Sequence, residues 1–186
     1  MPPARISCFP PVMDNRTQVL ILGSLPGGMS LIKREYYAHP HNHFWRLLGS
    51  ALGINVLPQF SYENRLRLIQ HLGIGLWSSL ASGERGGSSL DSKIKDPEPI
   101  DILTGLLEHG VEDVRAIFFD GRLAEEVFMT NVHWQLPTYY QSTIEFDYLP
   151  SSSSAYAAMQ FRMKSRIWRR LIRRHLSHFS EKRNRG

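Results

Sequence analysis

The sequence predicts an α/β fold: a three-layer α/β/α sandwich around a central, mostly parallel four-stranded sheet. Short apolar runs that end in turn residues alternate along the chain with longer segments of helical periodicity. Alternation of this kind builds a parallel sheet that is covered by helices on both faces. The length of 186 residues allows one well-buried α/β core and is short for two, so we expect a single domain over residues 1–186.

Four short runs, the first three of them largely apolar, predict the strands, and each is followed by polar, turn-forming residues. The runs are Val19–Leu22, Ile74–Trp77, Arg115–Phe119 and Ile144–Leu149. They lead into the segments GSLPGG, SSLASGERGG, DGR and PSSSS. Because ligands of open parallel sheets bind beyond the carboxyl ends of the strands, we expect one cleft to collect these four segments.

Helical periodicity and capping residues predict the helices between and after these strands. The predicted helices are Phe44–Leu52 before Gly53, a helix from the cap Ser61 to Leu72, a helix from the cap Asp101 to Gly110, Leu123–Met129, and a long helix from about Ala155 to Leu176. In the last of these, Met163, Ile167 and Leu171 recur on one face, which we expect to pack against the core. Residues 78–99 are rich in serine, glycine and charge, and we expect them to form a long loop.

The composition argues against several classes of protein. No apolar run reaches 18 residues, which excludes a membrane-spanning helix, and residues 1–15 lack the apolar core of a secretion signal. Cys8 is the only cysteine, which excludes an internal disulfide or a cysteine-based zinc site within one chain. We therefore expect a cytoplasmic protein with no membrane partner, and we expect it to be a monomer.

The basic residues are concentrated at the end of the chain. Residues 160–186 carry ten lysines and arginines and one acid, a net charge of +9, whereas the whole chain carries +5, which leaves about −4 for the remainder. A basic helix and tail over about residues 155–186, on a nearly neutral body, is typical of a surface that binds phosphates. Arg169 and Arg170 are candidate phosphate contacts, and a solubilising tail is the alternative.

The turn after the first predicted strand, GSLPGG, matches a nucleotide-binding loop in part. Met29 stands where that loop needs a lysine for the terminal phosphates, and Pro26 removes one backbone N–H from the cradle. We therefore reject nucleotide binding. A glycine-flanked turn still presents backbone donors that suit a developing anion or the edge of a flat base. A base pocket is one interpretation and a turn without a ligand is the other; the candidate pocket residues are Gly23, Ser24, Leu25, Pro26 and Gly27.

Residues 36–45, YYAHPHNHFW, place polar and aromatic groups side by side. His39, His41 and His43 alternate as metal ligands can, but no nearby cysteine or acid completes a coordination shell, so we expect no metal. The amide of Asn42 both donates and accepts, so it can orient a water molecule or hydrogen-bond to a base. Phe44 is a candidate stacking surface for a base, with packing inside the core as the alternative.

Four segments in this order and spacing resemble the uracil-DNA glycosylase superfamily: ILGSLPGxxS, YYAHPxNxFWRLL, FxDGRxAEEVF and LPSSSSA. Within it they are similar to the hypoxanthine-DNA (deoxyinosine) glycosylases, family 6, over about residues 19–168. The resemblance implies a uracil-DNA glycosylase-like fold and an enzyme that excises a deaminated base, hypoxanthine first and uracil second, by hydrolysing its N-glycosidic bond. It also implies damaged DNA, double- or single-stranded, as the partner, and no metal or cofactor. The motifs contain no lysine for a Schiff base, which favours a monofunctional glycosylase.

The resemblance also implies roles for single residues. Another branch of the superfamily has a water-orienting asparagine in its first motif, where this chain has Leu25, and Asn42 of the HPxNxFW motif is the implied catalytic replacement. Asp120 stands where relatives usually have asparagine, and it is a second catalytic candidate that would accept from a purine N–H or activate water. The serines of LPSSSSA match the second motif, so the implied phosphate contacts are Ser151, Ser152 and Ser153.

Departures from the family pattern keep two other functions open. Leu25, Ser78 and Asp120 replace residues that are usual in relatives, so a catalytically impaired DNA-binding module of the same fold is one alternative. A hydrolase of free nucleosides is the other, although a small neutral substrate needs no basic helix to follow phosphates.

Overall fold

The fold is seen in a computed structural model that describes residues 4–85 and 94–176. These residues form seven strands: β1 (Ala4–Ser7), β2 (Val19–Gly23), β3 (Ile74–Ser78), β4 (Leu80–Arg85), β5 (Ile94–Pro99), β6 (Ala116–Asp120) and β7 (Glu145–Leu149). Four of them form one sheet in the order β3-β2-β6-β7, and all three pairs of neighbours are parallel. The predicted four-stranded sheet is confirmed.

The register of this sheet brings the carboxyl ends of its strands to one edge. Leu22 lies opposite Trp77 on one side and Phe119 on the other. Asp120, the last residue of β6, lies opposite Leu149, the last residue of β7. The turn-forming segments after the four strands therefore begin side by side.

Within the described residues, seven α-helices accompany the strands: α1 (Gly28–Lys33), α2 (Phe44–Leu52), α3 (Tyr62–His71), α4 (Ile102–Glu108), α5 (Arg122–Asn131), α6 (Thr138–Thr143) and α7 (Phe161–His175). Strand side chains alternate between two apolar clusters. Ile21 and Phe118 belong to the cluster that contains residues of α2, α3 and α7. Leu20 and Phe119 belong to the cluster that contains residues of α4 and α5. Helices thus cover both faces of the sheet, which confirms the three-layer prediction.

Helix ends follow the predicted capping residues. Ser61 accepts a hydrogen bond from the N–H of Asn64 at 3.3 Å, and Asp101 accepts one from the N–H of Thr104 at 3.1 Å. Gly53 ends α2 in the left-handed conformation at φ 78°, a backbone geometry that favours glycine. Interactions within a few residues therefore set the starts of α3 and α4 and the end of α2.

The expectation of a long loop over residues 78–99 is wrong where the structure describes it. Strand β4 lies between β1 and β5 in a second, antiparallel sheet; residues 86–93 lie outside the described part of the chain. Glycine and proline are depleted in strands. Because β4 contains Gly83 and β5 contains Pro97, the sequence did not predict these two strands. Pro97 is tolerated because β5 is an edge strand, and a Cβ at Gly83 would lie 3.1 Å from the Leu25 side chain.

The last helix is shorter than predicted. It begins at Phe161, and residues 155–160 form turns ahead of it. Leu171 is buried as expected, and so is Trp168, but Met163 is 58% exposed and takes no part in the core. The predicted tail over residues 177–186 lies outside the described residues. Within the described part of the chain, no helix combines the length and apolar character needed to cross a membrane.

Candidate active site

A cavity of about 660 Å³ opens at the carboxyl edge of the parallel sheet. Its walls come from the ends of all four parallel strands and from the segment before α2. The lining residues fall mainly in the ranges 23–30, 36–42, 77–78, 120–126 and 148–156. The predicted convergence of the four strand ends on one cleft is confirmed, and a volume of this size suits a small organic group.

All five residues predicted as pocket residues on the GSLPGG turn, 23–27, line the cavity. Leu25 is buried and packs with Leu80 and Val127, so its side chain anchors the turn and has no polar group for a water molecule. Its carbonyl oxygen accepts a hydrogen bond from Nη2 of the buried Arg85 at 3.3 Å. The turn is therefore held both by an apolar side chain and through its backbone.

Tyr37 is one of the aromatic residues that line the cavity, and Phe44 is not. Phe44 is fully buried, and its ring stacks in parallel on that of Tyr37, with centroids 3.6 Å apart and planes 2° apart. Tyr37 lines the cavity, so the prediction that Phe44 offers the stacking surface is wrong. Tyr37 also has a φ of 56°, which is uncommon for a residue with a side chain and is a form of strain that clusters at functional sites.

Neighbouring residues explain how Tyr37 fits against the first strand. A Cβ at Gly23 would lie 2.9 Å from the Tyr37 hydroxyl oxygen, closer than packed atoms normally approach. The hydroxyl of Tyr36 has other partners, because it lies 3.2 Å from the carbonyl oxygens of Phe9 and Pro10 and donates to them. Gly23, the last residue of β2, thus leaves room for the hydroxyl of Tyr37.

Asn42 lines the cavity just before α2. Its Oδ1 accepts a hydrogen bond from the N–H of Phe44 at 2.8 Å, and its own N–H donates to the carbonyl oxygen of His39 at 2.9 Å. These bonds hold the carboxamide in place and use one lone pair of Oδ1. The chemistry of an amide leaves Nδ2 as a donor and the second lone pair as an acceptor for a ligand.

Asp120 and Ser152 form a buried pair at the floor of the site. The N–H of Ser152 donates to Oδ1 of Asp120 at 2.6 Å, and its hydroxyl donates to Oδ2 at 2.5 Å. The carbonyl oxygen of Ser152 accepts from the N–H of His43 at 2.9 Å. Ser152 is 1% exposed and its donors are engaged, so the prediction that it binds phosphate is wrong. A catalytic role for Asp120, which lines the cavity, stays a prediction.

Ser151 and Ser153 are half-buried and line the cavity beside this pair. The hydroxyl of Ser151 accepts from the N–H of Ser153, and that of Ser153 accepts from the N–H of Ala155, both at 3.2 Å. Each hydroxyl keeps its own hydrogen to donate, as a phosphate contact requires. Phosphate binding by these two serines stays a prediction.

Lys164 of α7 is a buried cation beside the site that sequence reasoning missed. It is 1% exposed, and its ammonium donates to the carbonyl oxygens of Ser151 at 2.7 Å and Tyr156 at 2.8 Å. Burial lowers the pKa of Lys164, and the negative charge of Asp120 raises it in part. In the sequence this lysine is one basic residue among many on a helix, and only its carbonyl partners mark it as different.

Arg122 is a second residue that the sequence did not single out. It follows Gly121, whose φ of 112° favours glycine, and it lines the cavity. Its guanidinium lies 4.6 Å from the centre of the Tyr148 ring and pairs with Glu125 at 3.0 Å. An exposed cation at the rim of a cavity attracts anionic ligands. The sequence analysis placed the DGR segment in a turn and in a family motif but gave Arg122 no role.

Arg169 and Arg170, the predicted phosphate contacts on the last helix, are exposed but do not line the cavity. Helix α7 runs beside α2, and Nη2 of Arg169 donates to the hydroxyl of Ser50 at 3.2 Å. The helix begins near the cavity and leads to Arg174, which pairs with Glu145 at the amino end of β7. Arg169 and Arg170 therefore lie between the cavity and the opposite edge of the sheet, and phosphate binding by them stays a prediction.

Metal-ligating side chains do not cluster in residues 4–85 and 94–176, where no three histidine, cysteine, aspartate or glutamate residues are arranged to hold an ion. The rings of His39 and His41 lie 5.6 Å apart between centroids. His43 turns away from both and packs edge-on against Phe161. The three alternating histidines therefore do not form one cluster that could hold an ion.

Comparisons with known proteins agree with this fold and this cavity. A sequence profile of the Uracil DNA glycosylase superfamily matches residues 10–174. Two curated relatives, named hypoxanthine DNA glycosylase, come from Methanosarcina barkeri and Methanosarcina acetivorans. They are 43% and 48% identical over 118 residues, which is 63% of this chain and 72% of each relative. A solution NMR structure of a Methanosarcina acetivorans protein, provisionally designated a uracil DNA glycosylase, matches with a TM-score of 0.72 at 38% identity, covering 90% of this chain and 99% of that one.

The profile match extends over every segment that contributes to the cavity walls from the GSLPGG turn to the loop before α7. The structural match covers the same core at an identity well above the level at which only the fold is shared. The chain therefore belongs to the uracil DNA glycosylase superfamily, whose members are hydrolases that act on N-glycosyl bonds.

Proposed function

We propose that this DNA glycosylase removes hypoxanthine from deoxyinosine in DNA, with uracil as a second substrate. The observation that carries the proposal is the carboxamide of Asn42, which the N–H of Phe44 holds at the wall of a cavity of about 660 Å³. Relatives that are 43% and 48% identical bear the name hypoxanthine DNA glycosylase. This support favours hypoxanthine over uracil as the principal base.

The base would enter the cavity by leaving the DNA stack. Flipping costs a few kcal/mol, which contacts with the extruded base must offset. The ring of Tyr37 lines the cavity and is supported from behind by Phe44, so it is the surface on which the base stacks. The turn of residues 23–27 places backbone groups beside that ring for the polar edge of the base.

The proposed step is hydrolysis without a covalent intermediate. The oxygen of water bonds to C1′ of the sugar and releases one proton to solvent, while the bond from C1′ to the base nitrogen breaks. The base leaves with that electron pair and takes up one proton from solvent. Positive charge develops on the sugar and negative charge on the base, so groups that match these charges accelerate the step. Oδ1 of Asn42 accepts from the attacking water, and backbone donors of the turn stabilise the leaving base. We propose that no metal or cofactor takes part.

The proposed substrate is DNA and not a free nucleoside, bound by a monomeric enzyme in the cytoplasm. Ser151 and Ser153 present hydroxyls at the cavity, where the phosphates that flank a flipped nucleotide would pass. The exposed Arg169 and Arg170 extend positive charge along α7. Affinity for DNA depends on contacts of this kind with phosphates.

Labelled duplexes that carry a single inosine, uracil, xanthine or mismatched thymine test the proposal. After incubation with the protein, alkali cleaves the strand wherever a base has been removed. Excision from the inosine duplex, and little from an undamaged duplex of the same sequence, is the expected result. Excision of uracil alone would reject hypoxanthine as the substrate. Tight binding of every duplex without excision would show that the protein is a DNA-binding module and not an enzyme.

A further inference from the structure

Three segments that build the cavity are tied together at one buried residue, Ser152. Its N–H and hydroxyl donate to the two carboxylate oxygens of Asp120 at the end of β6. Its carbonyl oxygen accepts from the N–H of His43 at the beginning of α2. One residue of the loop after β7 therefore fixes the separation between β6 and the segment that contains Asn42.

The two hydrogen bonds between Asp120 and Ser152 are shielded from water. Asp120 is 7% exposed and Ser152 is 1% exposed, so water competes little for their polar atoms. Hydrogen bonds to a carboxylate are stronger than neutral ones, and a buried carboxylate that lost its donors would be costly. An asparagine at position 120 would put an NH2 group in place of one of the two carboxylate oxygens, so a donor would face one of the two donors of Ser152.

Lys164 holds the same loop on both sides of Ser152. Its ammonium donates to the carbonyl oxygens of Ser151 and Tyr156, and it interacts electrostatically with Asp120. A buried positive charge near a buried carboxylate reduces the cost of placing either one in the interior. The loop is thus held by a carboxylate at its second serine and by an ammonium at residues before and after it.

The connection continues from His43 to Asn42. The N–H groups of His43 and Phe44 are consecutive donors; the first binds the carbonyl oxygen of Ser152 and the second binds Oδ1 of Asn42. A shift of Ser152 therefore moves the backbone that holds the carboxamide. We infer that Asp120 and Ser152 are positioning residues, which set Asn42 against the substrate through the backbone of His43. The inference relies on the proposed function only for the catalytic role of Asn42.

Two variants and a matched control separate positioning from general stability. Asp120→Ala removes the carboxylate, and the milder Ser152→Ala removes one hydrogen bond and keeps the other. Asp101→Ala is the control, because Asp101 also accepts from both the N–H and the hydroxyl of one residue, Thr104, at 3.1 Å and 2.7 Å. That pair caps α4 and contributes nothing to the cavity walls.

Single-turnover excision and duplex affinity are measured for each variant on an inosine duplex. Asp120→Ala should lower the excision rate about 10- to 100-fold, because a misplacement of about 1 Å near the reacting atoms has an effect of that size. The dissociation constant of the duplex should change less than about threefold, and Asp101→Ala should excise like the wild type. A loss in affinity as large as the loss in rate, or an equal loss from Asp101→Ala, would overturn the inference.

Combination with Asn42→Ala tests whether Asp120 acts through Asn42. In that background Asp120→Ala should change the residual excision rate by less than about threefold, since residues that act as one unit are not additive. Two losses that multiply would make Asp120 an independent catalytic group and overturn the inference.

Hydrogen exchange at the N–H of His43 tests the connection without any excision. In the free protein, followed by NMR, Ser152→Ala and Asp120→Ala should speed this exchange about fivefold or more, since a weakened hydrogen bond is worth about 1 kcal/mol. The N–H of Leu47, which donates to the carbonyl oxygen of His43 within α2, is the internal reference. Unchanged exchange at His43 would overturn the inference. A wild-type protein that excises no base would reject the proposed function. The exchange measurement would still test whether Asp120 and Ser152 hold the backbone N–H of His43.

Discussion

The rings of Tyr37 and Phe44 stack face to face at 3.6 Å, and Tyr37 alone of the two lines the cavity. Phe44 is fully buried and also meets the ring of Trp168 edge-on. This arrangement gives Tyr37 a rigid support against the core of the protein. A flat ligand in the cavity would therefore meet a ring whose position is fixed before binding, which lowers the entropic cost of stacking.

Tyr37→Ala should weaken binding of an inosine duplex by about 1–3 kcal/mol, the usual value of one base stacked on one aromatic ring. Tyr37→Phe retains the ring and should bind nearly as the wild type does. Equilibrium binding is measured on the inosine duplex and on an undamaged duplex of the same sequence. An equal loss on both duplexes would show that Tyr37 supports the fold and does not contact the base.

Gly23→Ala should impair excision, and Tyr37→Phe should restore it. The added Cβ would lie 2.9 Å from the hydroxyl oxygen of Tyr37, whereas the next atom of that ring is 3.7 Å away, at an ordinary contact distance. Removing the hydroxyl therefore relieves the clash. Excision rates of the two single variants and the double variant measure the effect. A double variant as slow as Gly23→Ala would mean that another requirement keeps glycine at this position.

The free energy of unfolding should depend on pH through His43. Burial and the positive charges of Lys164, Arg46 and His41 lower the pKa of His43. The unfolded chain then takes up this proton at a higher pH than the folded protein does, so stability decreases as the pH falls below about 6.5. His43→Gln should make that decrease smaller in urea unfolding measured at several pH values between about 7 and 5. Equal slopes for the variant and the wild type would contradict this assignment.

Arg169→Ala combined with Arg170→Ala should reduce the salt dependence of DNA binding. Each lost phosphate contact lowers the slope of log affinity against log salt by up to about one unit. Arg174→Ala is the control, because Arg174 pairs with Glu145 at the amino end of β7, away from the cavity. Dissociation constants across a range of salt concentrations give the slopes. An unchanged slope in the double variant would make this part of α7 a solvated surface.

Local patterns were sufficient to predict the parallel sheet and several helix ends. Strands β2, β3 and β6 are short, largely apolar runs, and the period of two along β2 divides its side chains between the two faces of the sheet. Ser61 and Asp101 cap their helices through a donor three residues ahead. Interactions over so few residues are visible in the sequence itself.

The missed features depend on contacts between distant residues. Asp120 and Ser152 are 32 positions apart, and nothing in PSSSS indicates which serine is buried. Tyr36 and Tyr37 are adjacent and both line the cavity, and only the stack on Phe44, seven residues further on, marks Tyr37 as the ring that is supported from behind. Strand β4 carries an internal glycine and gains its stability from pairing with β1 and β5, so local propensity points away from it.

Single-turnover excision by Asn42→Ala on an inosine duplex tests the proposed active site most directly. Loss of the group that orients the attacking water should lower the rate at least about 100-fold, while the dissociation constant of the same duplex should change less than about threefold. Asn55→Ala is the matched control, since Asn55 is an exposed asparagine just after α2 and outside the cavity walls; it should excise like the wild type. Near-normal excision by Asn42→Ala would contradict the assignment of catalysis to Asn42.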